Sequence, residues 1–329
     1  MADAAWQGRT ALITGISGFL GAWLAEALVE RGAAVFGFDK VAGGALELHD
    51  GLAGRVNIIT GDITSLEDAE RALKASSADT CFHLAGHSMV DPESRSPVAT
   101  FEANARGTWI VLEAARRFGR LSRIMVASSN HIYGHQETAP SAEDAPLNGV
   151  NPYAASKACT DLIARCFAET YRMPIAIARN TNTYGGADPH QTHIVTASIL
   201  SLLQGQPPVI QSDGSPVKSY LYVRDTIEGY LRLGARADAP DVRGQPVNLS
   251  MDAPVSVKEL VETLIRVSGV QGLPPKILGT AGAWTEREWL SNARAKAVLG
   301  WTPHYSLEAG LRETFEWYRT RLFSSKLTR

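Results

Sequence analysis

Residues 151–161 carry the side chains whose types and spacing are most suited to chemistry. Tyr153 and Lys157 lie four positions apart, and the alanine-rich sequence around them predicts a helix that begins near Pro152. Side chains four apart leave the same helical face, one turn from each other. Because a neighbouring ammonium favours the phenolate form of a phenol, the pair predicts a tyrosine that takes a proton from a substrate hydroxyl. Tyrosine and lysine at this spacing also occur on ordinary solvated helices, so other motifs must decide.

A glycine-rich turn lies between the first predicted strand, residues 10–15, and the first predicted helix, residues 19–31. Its glycines are Gly15, Gly18 and Gly21. Glycines allow a tight turn and let the backbone approach a pyrophosphate, which the N-terminus of the following helix attracts. The spacing G-x-x-G-x-x-G differs from the general dinucleotide fingerprint, so this turn indicates a dinucleotide site only in combination with other motifs.

An acidic residue follows the second predicted strand, residues 33–38. A carboxylate at this place, Asp39, suits the adenosine ribose hydroxyls of NAD and repels the 2′-phosphate of NADP. The adjacent Lys40 keeps NADP open as an alternative, because its charge would attract that phosphate. We therefore expect NAD as the cofactor.

Strands alternate with helices over the first half of the chain, which predicts an α/β fold with a Rossmann-type, doubly wound parallel sheet. We assign residues 1–185 to this dinucleotide-binding domain. Residues 186–329 are expected to form mainly a smaller α/β substrate-binding lobe, interleaved with the last strands of the sheet. The main predicted elements, in chain order, are strands at 10–15, 33–38, 56–60, 80–84, 123–127, 175–179, 208–210, 219–222 and 246–249, helices at 19–31, 66–74, 97–118, 152–168, 193–203, 224–234, 255–268 and 307–322, and a turn at 180–189.

The composition is that of a globular enzyme rather than of a nucleic-acid or membrane protein. The chain has 329 residues, 45% apolar and 20% charged, and a formal net charge of −2 without long runs of one sign. We expect neither a nucleic-acid partner nor a membrane span. The three cysteines, Cys81, Cys159 and Cys166, form no C-x-x-C pair and are expected to be buried thiols in a reducing cytoplasm. No His/Cys spacing suits a metal, so none is expected.

Six motifs occur in an order that is typical of one enzyme family. They are T-G-x-x-G-F-x-G at residues 14–21, Asp39, Gly61-Asp62-Ile63, His83-Leu84-Ala85, Ser129, and Tyr153 with Lys157. Through them the chain resembles, over essentially its whole length, the extended short-chain dehydrogenase/reductases. Within that family it is similar to the nucleotide-sugar epimerases and dehydratases, which hold NAD tightly. The stretches YGGAD, HIV and EREWLSNARAKAVLGW resemble most closely the CDP-glucose 4,6-dehydratase-like proteins.

The resemblance implies a cofactor site and a substrate site. The implied cofactor-binding residues are Gly15, Gly18, Phe19, Leu20, Gly21, Asp39, Lys40, Asp62, Ile63, Leu84, Ala85, Gly86, Tyr153 and Lys157. The implied or suggested substrate-binding residues are His87, Ser88, Asn104, Ser129, Asn182, His193, Ile194, Val195 and Lys218. Among these, Ser129 would bind the reacting sugar oxygen and Asn182 the diphosphate. Lys218 stands where the family usually has an arginine, so the bidentate contact of a guanidinium is lost.

The two residues after Ser129 depart from the dehydratase pattern. There, 4,6-dehydratases carry Asp-Glu, Ser-Glu or Asp-Lys, which move protons at C5 and C6 of the sugar. This chain has Asn130, whose amide cannot supply a proton, and His131, which could act as acid or base. Both are retained as candidate catalytic residues beside Ser129, Tyr153 and Lys157.

Three activities follow as expectations, and each begins with the oxidation of a sugar by NAD. The first is 4-epimerisation of a nucleotide-diphosphate sugar through a transient 4-ketone, which needs no additional acid. The alternatives are 4,6-dehydration, as in the CDP-glucose enzymes, and net oxidation of a uronate-type sugar, because Ser-Ser-Asn-His also resembles uronate dehydrogenases. The family resemblance further implies a homodimer in which helices 97–118 and 153–168 pair across a two-fold axis, with Leu162, Ile163, Cys166 and Phe167 available for burial.

Overall fold

The structure is a computed structural model that describes residues 5–87, 96–135, 139–280 and 287–327. The strands are β1 Thr10–Thr14, β2 Ala34–Asp39, β3 Asn57–Thr60, β4 Thr80–His83, β5 Arg123–Ala127, β6 Ile175–Asn180, β7 Asn182–Tyr184, β8 Val209–Ile210, β9 Val217–Lys218, β10 Tyr220–Tyr222, β11 Pro246–Leu249, β12 Val255–Ser256, β13 Lys276–Ile277 and β14 Arg287–Glu288. The helices are α1 Phe19–Glu30, α2 Leu66–Ser76, α3 Pro97–Phe101, α4 Gly107–Phe118, α5 Pro152–Thr170, α6 Ile194–Leu203, α7 Val223–Ala235, α8 Val257–Ser268, α9 Ala293–Leu299 and α10 Leu307–Leu327.

Within the described residues, seven parallel strands form the central sheet, in the order β11-β6-β5-β4-β1-β2-β3. These strands are mostly buried because each is a short apolar run, and helices cover both faces of the sheet. One face packs on α1 and α7, and the other packs on α2, α4 and α5. The predicted doubly wound α/β sheet is confirmed.

The second half of the chain contributes both to the sheet and to a smaller lobe. Strand β11 and helix α7 return to the central sheet, whereas β8, β9, β12, β13 and β14 form small two- and three-stranded sheets beside α6, α8 and α10. Among the described residues, no helix combines the length and the apolar character that a bilayer crossing requires.

Several local predictions needed correction. The predicted turn at 180–189 contains β7, which pairs in parallel with β10. The predicted helix at 255–268 starts at Val257, because Val255 and Ser256 pair with β9 and Ser256 then caps the helix. The helix predicted at 97–118 is interrupted by a π-helical turn at Glu102–Arg106. Of the three cysteines expected to be buried, Cys81 is buried, Cys159 is partly buried and Cys166 is exposed.

A buried arginine holds α5 against the sheet. Arg179 on β6 donates from Nε and Nη2 to the two carboxylate oxygens of Asp161 on α5, both at 2.8 Å. Its Nη1 donates to the hydroxyl of Tyr133 at 2.7 Å and to the carbonyl of Glu143 at 2.8 Å. Both charged side chains are almost completely buried, at 1% and 0% exposure, so each depends on the other for compensation.

Asp161→Asn should destabilise the protein strongly, because it leaves the guanidinium of Arg179 buried without a counter-charge. We expect a loss of about 3–5 kcal/mol in the free energy of unfolding, measured by urea denaturation. The matched control is Asp252→Asn, which removes a half-exposed carboxylate that pairs with Lys296, and it should cost about 1 kcal/mol or less. Equal losses in the two variants would contradict this interpretation of the buried pair.

Candidate active site

A large cleft lies at the carboxyl-terminal edge of the central sheet, between the sheet and the smaller lobe. Its volume is about 1330 Å³. This exceeds the range of about 300–1,000 Å³ that is usual for a pocket holding one small ligand, so a dinucleotide and a second molecule can be accommodated together. In parallel α/β sheets ligands bind at this edge, because the loops that follow neighbouring strands meet there.

The glycine turn forms one end of the cleft. Gly15 has φ +76°, and a Cβ on it would lie 2.7 Å from Cα of Ala85, so a larger residue cannot occupy this position. A Cβ on Gly21 would lie 2.7 Å from Cα of Ile16. Gly18 precedes α1 without a side-chain cap, which leaves the N–H groups of the first helical turn available to a ligand. The turn therefore fits a pyrophosphate group, as expected for NAD.

The carboxylate of Asp39 is held in a fixed orientation at the end of β2. It accepts hydrogen bonds from the backbone N–H of Ser17 at 3.0 Å and of Lys40 at 2.8 Å. The ammonium of Lys40 lies 3.0 Å from Asp62. Burial opposes ionisation of Asp62, but hydrogen bonds from Thr64 and Lys40 outweigh it and lower the pKa of this carboxyl. Because the charge of Lys40 is shared with Asp62, the site favours NAD over NADP.

The remaining predicted cofactor residues surround the same part of the cleft. Phe19, Leu20, Ile63, Leu84, Ala85 and Gly86 all line it. His83, at the end of β4, lies behind them with its ring between the hydroxyls of Thr14 and Thr108, at 2.8 and 3.2 Å. Burial, with a further contribution from Lys157, lowers the pKa of His83 to about 3, so this histidine is a neutral structural residue.

Tyr153 and Lys157 face the cleft from the first turns of α5, which Asn151 caps by accepting the N–H of Ala154 at 2.8 Å. Lys157 donates to the carbonyl of Ala127 at 2.6 Å. Burial lowers the pKa of Lys157 to about 8, against the attraction of a nearby carboxylate. The neighbouring ammonium was expected to favour the phenolate of Tyr153, but burial dominates and raises the pKa of this phenol, while a hydrogen bond with Ser129 acts in the opposite direction.

Asn104 supports the loop after β4 and lies behind the cleft wall. Its side-chain oxygen accepts the N–H of His87 at 2.7 Å, and its side-chain nitrogen donates to the carbonyl of His87 and to Ser156, at 3.1 and 2.9 Å. The π-helical turn frees its carbonyl for the hydroxyls of Thr108 and Thr160, at 2.6 and 2.8 Å. Asn104 is 1% exposed and positions His87, and its contact with the substrate stays a prediction.

The turn after β5 brings the other catalytic candidates beside Tyr153. Ser129 accepts the N–H of His131 at 3.2 Å, and the rings of His131 and Tyr153 meet edge to face with centroids 5.7 Å apart. Asn130 is buried at 3% exposure and donates from its side chain to Glu288 at 2.7 Å. The structure thus brings Ser129, His131, Tyr153 and Lys157 together, while the side chain of Asn130 is turned towards the lobe.

Glu288 is a residue of the cleft region that the sequence analysis did not identify. One carboxylate oxygen lies 2.9 Å from Nδ1 of His131, and the other lies 3.0 Å from the ammonium of Lys218. Burial would raise the pKa of Glu288, but His131 and Lys218 outweigh it and lower the pKa to about 2. The sequence contained one signal for such a residue. His131 and Lys218 are basic candidates on different segments, and neither has an acidic partner next to it in the sequence.

The lobe provides the opposite wall. Asn182 lies on β7, where its side chain donates to the carbonyl of Ser219 at 3.3 Å, and His193 precedes α6 with its Nδ1 2.7 Å from Asp188. These two residues line the cleft together with His87, Ile194, Val195 and Lys218. Lys218 was expected to bind a diphosphate, yet its ammonium is paired with Glu288. Ser88 lies outside the described residues.

Comparison with known proteins agrees with these features. The family model described as GDP-mannose 4,6 dehydratase matches residues 12–314. A UDP-glucose 4-epimerase of Mycolicibacterium smegmatis is 30% identical over 322 residues, covering 94% of this chain and 98% of the relative. A dTDP-glucose 4,6-dehydratase of Xanthomonas campestris is 28% identical over 330 residues, covering 94% and 93%.

Two solved structures show the same fold. The UDP-glucose 4-epimerase of Thermotoga maritima, solved with UDP-glucose, has a TM-score of 0.86 and 26% identity, covering 95% of this chain and 99% of that one. The dTDP-glucose 4,6-dehydratase of Streptomyces venezuelae, solved with NAD and TYD bound, has a TM-score of 0.85 and 25% identity, covering 95% and 98%.

Lys157→Met should remove a pH dependence of stability. The pKa of Lys157 is about 8 in the folded chain and near 10.5 in an ordinary environment, so between these values the unfolded chain binds a proton that the folded chain does not. The stability of the wild type relative to the variant should therefore rise with pH, by about 2 kcal/mol between about pH 7.5 and about pH 9.5. Urea denaturation at both pH values measures this difference.

The control for this measurement is Lys74→Met, which removes a largely exposed ammonium on α2. The stability difference between this variant and the wild type should not vary over the same interval. A stability difference between the wild type and Lys157→Met that is constant with pH would contradict the lowered pKa of Lys157.

Proposed function

We propose a function from one premise: the chain belongs to the family of the GDP-mannose 4,6-dehydratase model, the NAD-dependent nucleotide-sugar epimerases and dehydratases among the extended short-chain dehydrogenase/reductases. The predicted family and NAD as its cofactor are thereby confirmed. The function is 4-epimerisation of a nucleotide-diphosphate hexose through a transient ketone at C4. The observation that carries it is the grouping of Tyr153, Ser129 and Lys157 in one cleft with room for both ligands.

Each catalytic side chain has a defined task in this reaction. NAD, when bound, accepts a hydride from C4 and returns it. Tyr153 takes the proton of the C4 hydroxyl, and Ser129, which is hydrogen-bonded to Tyr153, orients the same oxygen. A base must lose its own proton first, and because burial raises the pKa of Tyr153, positive charge near the phenol is required to favour the phenolate. Lys157 is the cation one helical turn away.

Epimerisation is favoured because all the steps that it requires take place at C4. After the hydroxyl is oxidised, the sugar presents its other face and the ketone is reduced, with Tyr153 returning the proton. No second acid is needed. Asn130 stands at the position where dehydratases of one group carry an acid. Its side-chain amide donates a hydrogen bond to Glu288, but an amide cannot transfer a proton to the substrate.

A second candidate is 4,6-dehydration, supported by a separate observation. His131 lines the cleft beside Tyr153 and is paired with Glu288, so a proton-transfer group is present in addition to the tyrosine. Loss of water across C5 and C6 requires such a group. Oxidation of a uronate-type sugar with release of reduced cofactor is the third possibility, and it has no support of this kind among the relatives described above.

The remaining contacts are proposals of the same kind. Asn182 would bind the diphosphate together with Lys218, whose ammonium has N–H groups to donate beyond its contact with Glu288. His193, Ile194 and Val195 would lie along the nucleoside. Exposed apolar side chains on the two helical segments at 97–118 and 152–170, among them Trp109 at 44% and Leu162 at 52% exposure, support a homodimer built through these helices. We also propose a cytoplasmic location, which suits a chain whose three cysteines are free.

Incubation of the protein with UDP-, dTDP-, GDP- and CDP-hexoses, followed by proton NMR, tests this function. We expect inversion at C4 of one nucleotide hexose without net release of reduced cofactor. Tyr153→Phe should lower the rate by about 10²–10⁴-fold, because the base is lost while the ring remains. Tyr171→Phe, at the exposed end of the same helix, is the matched control and should retain the wild-type rate.

The other products separate the alternatives. A 4-keto-6-deoxy sugar would replace epimerisation with dehydration, and stoichiometric reduced cofactor from a uronic acid would establish the dehydrogenase. If no sugar is converted, or if Tyr153→Phe is as active as the wild type, the proposed chemistry is wrong.

A further inference from the structure

A buried carboxylate from the smaller lobe reaches the turn that carries the catalytic candidates. Glu288 is 7% exposed and lies on β14, which pairs in parallel with β9. One of its oxygens accepts the side-chain N–H of Asn130 at 2.7 Å and lies 2.9 Å from Nδ1 of His131, while the other lies 3.0 Å from the ammonium of Lys218. Burying a carboxylate charge costs free energy, which its three polar partners must offset, and this indicates a role beyond packing.

The contact with Glu288 determines which nitrogen of His131 carries the proton. An ionised carboxylate can only accept hydrogen bonds, so Nδ1 of His131 must be the donor. In the neutral ring Nε2 then has a free lone pair, and in the charged ring it carries a proton that can be given away. His131 lines the cleft with its ring edge-on to Tyr153, so the reactive nitrogen belongs to the same site as the phenol.

The other two partners of Glu288 complete this arrangement. Asn130 gives its N–H group to Glu288, which turns its side-chain oxygen towards the hydroxyl of Ser129 at 3.4 Å. Lys218 neutralises the buried carboxylate, so Glu288 can remain ionised when His131 is neutral. The carboxylate that orients His131 therefore keeps one cationic partner throughout a proton transfer by the imidazole.

We propose that Glu288 is a positioning residue that holds His131 as a second proton-transfer group, acting on a carbon bonded to C4. The proposal rests on the C4 oxidation described above. Once C4 is a ketone, Nε2 of His131 takes the proton from C3 or C5, and the electron pair of that C–H bond moves into an enolate whose oxygen is held by Ser129 and the protonated Tyr153. The same nitrogen returns a proton to the carbon, so no atom is gained or lost.

This exchange is visible in D₂O, because the returning proton is then a deuteron. The nucleotide hexose that the enzyme converts is incubated in D₂O, and one proton NMR spectrum reports both conversion at C4 and deuterium at C3 or C5. We expect the wild type to incorporate deuterium. Glu288→Gln and His131→Gln should lower the ratio of incorporation to C4 conversion by about tenfold or more.

Two further variants serve as controls for this result. Glu288→Asp keeps the charge and should recover part of the lost ratio, whereas a role in packing alone predicts no recovery. Glu262→Gln, which removes an exposed carboxylate on α8, should leave both readouts at the wild-type level. A variant that fails to fold loses both activities together and is identified by its thermal unfolding.

The outcomes separate this inference from the function it rests on. C4 conversion by the wild type without deuterium at C3 or C5 overturns the role of His131 and Glu288 and leaves the proposed function standing. A Glu288→Gln variant that loses conversion and incorporation in equal proportion also overturns it. If no nucleotide hexose is converted at C4, the proposed function fails, and this inference fails with it.

Discussion

The guanidinium of Arg179 connects the parts of the molecule that must stay in register for the site to exist. It fixes α5, which carries the tyrosine and the lysine, to the sheet through Asp161, and it contacts Tyr133 at the end of the Ser129 turn. Tyr133 in turn donates to Asn248 on β11, at 2.8 Å. The bidentate geometry of an arginine–carboxylate pair restricts both distance and orientation, so the helix and the turn are held together.

Burial sets the electrostatic character of the site, and each charge there is stabilised by a specific neighbour. Lys157 is held by the carbonyl of Ala127, and Glu288 by Lys218 and His131. Without such partners the cost of removing these groups from water would shift them to their neutral forms. The low polarity of the buried site also strengthens the interaction of each group with a charge that develops on a substrate.

Much of the fold and part of the site could be predicted from the sequence. Local signals, such as apolar runs, glycines and the acidic end of β2, are sufficient for the parallel sheet, the glycine turn and the Tyr–Lys helix. Features that depend on contacts distant in the chain were missed: β14 pairs with β9, and the carbonyl of Asn104 in the π-helical turn accepts a hydrogen bond from a hydroxyl of α5. Glu288 belongs to this group. The direction of the pKa shift of Tyr153 was also missed, because burial is a tertiary property.

The central claim is that hydride leaves C4 of a nucleotide sugar and returns to the same molecule. A nucleotide hexose deuterated at C4 tests it directly, with the position of the label in the product determined by NMR and mass spectrometry. We predict that the deuterium stays in the sugar, at C4 after epimerisation or at C6 after dehydration. Release of the deuterium with reduced cofactor, or its loss to water, would contradict the account.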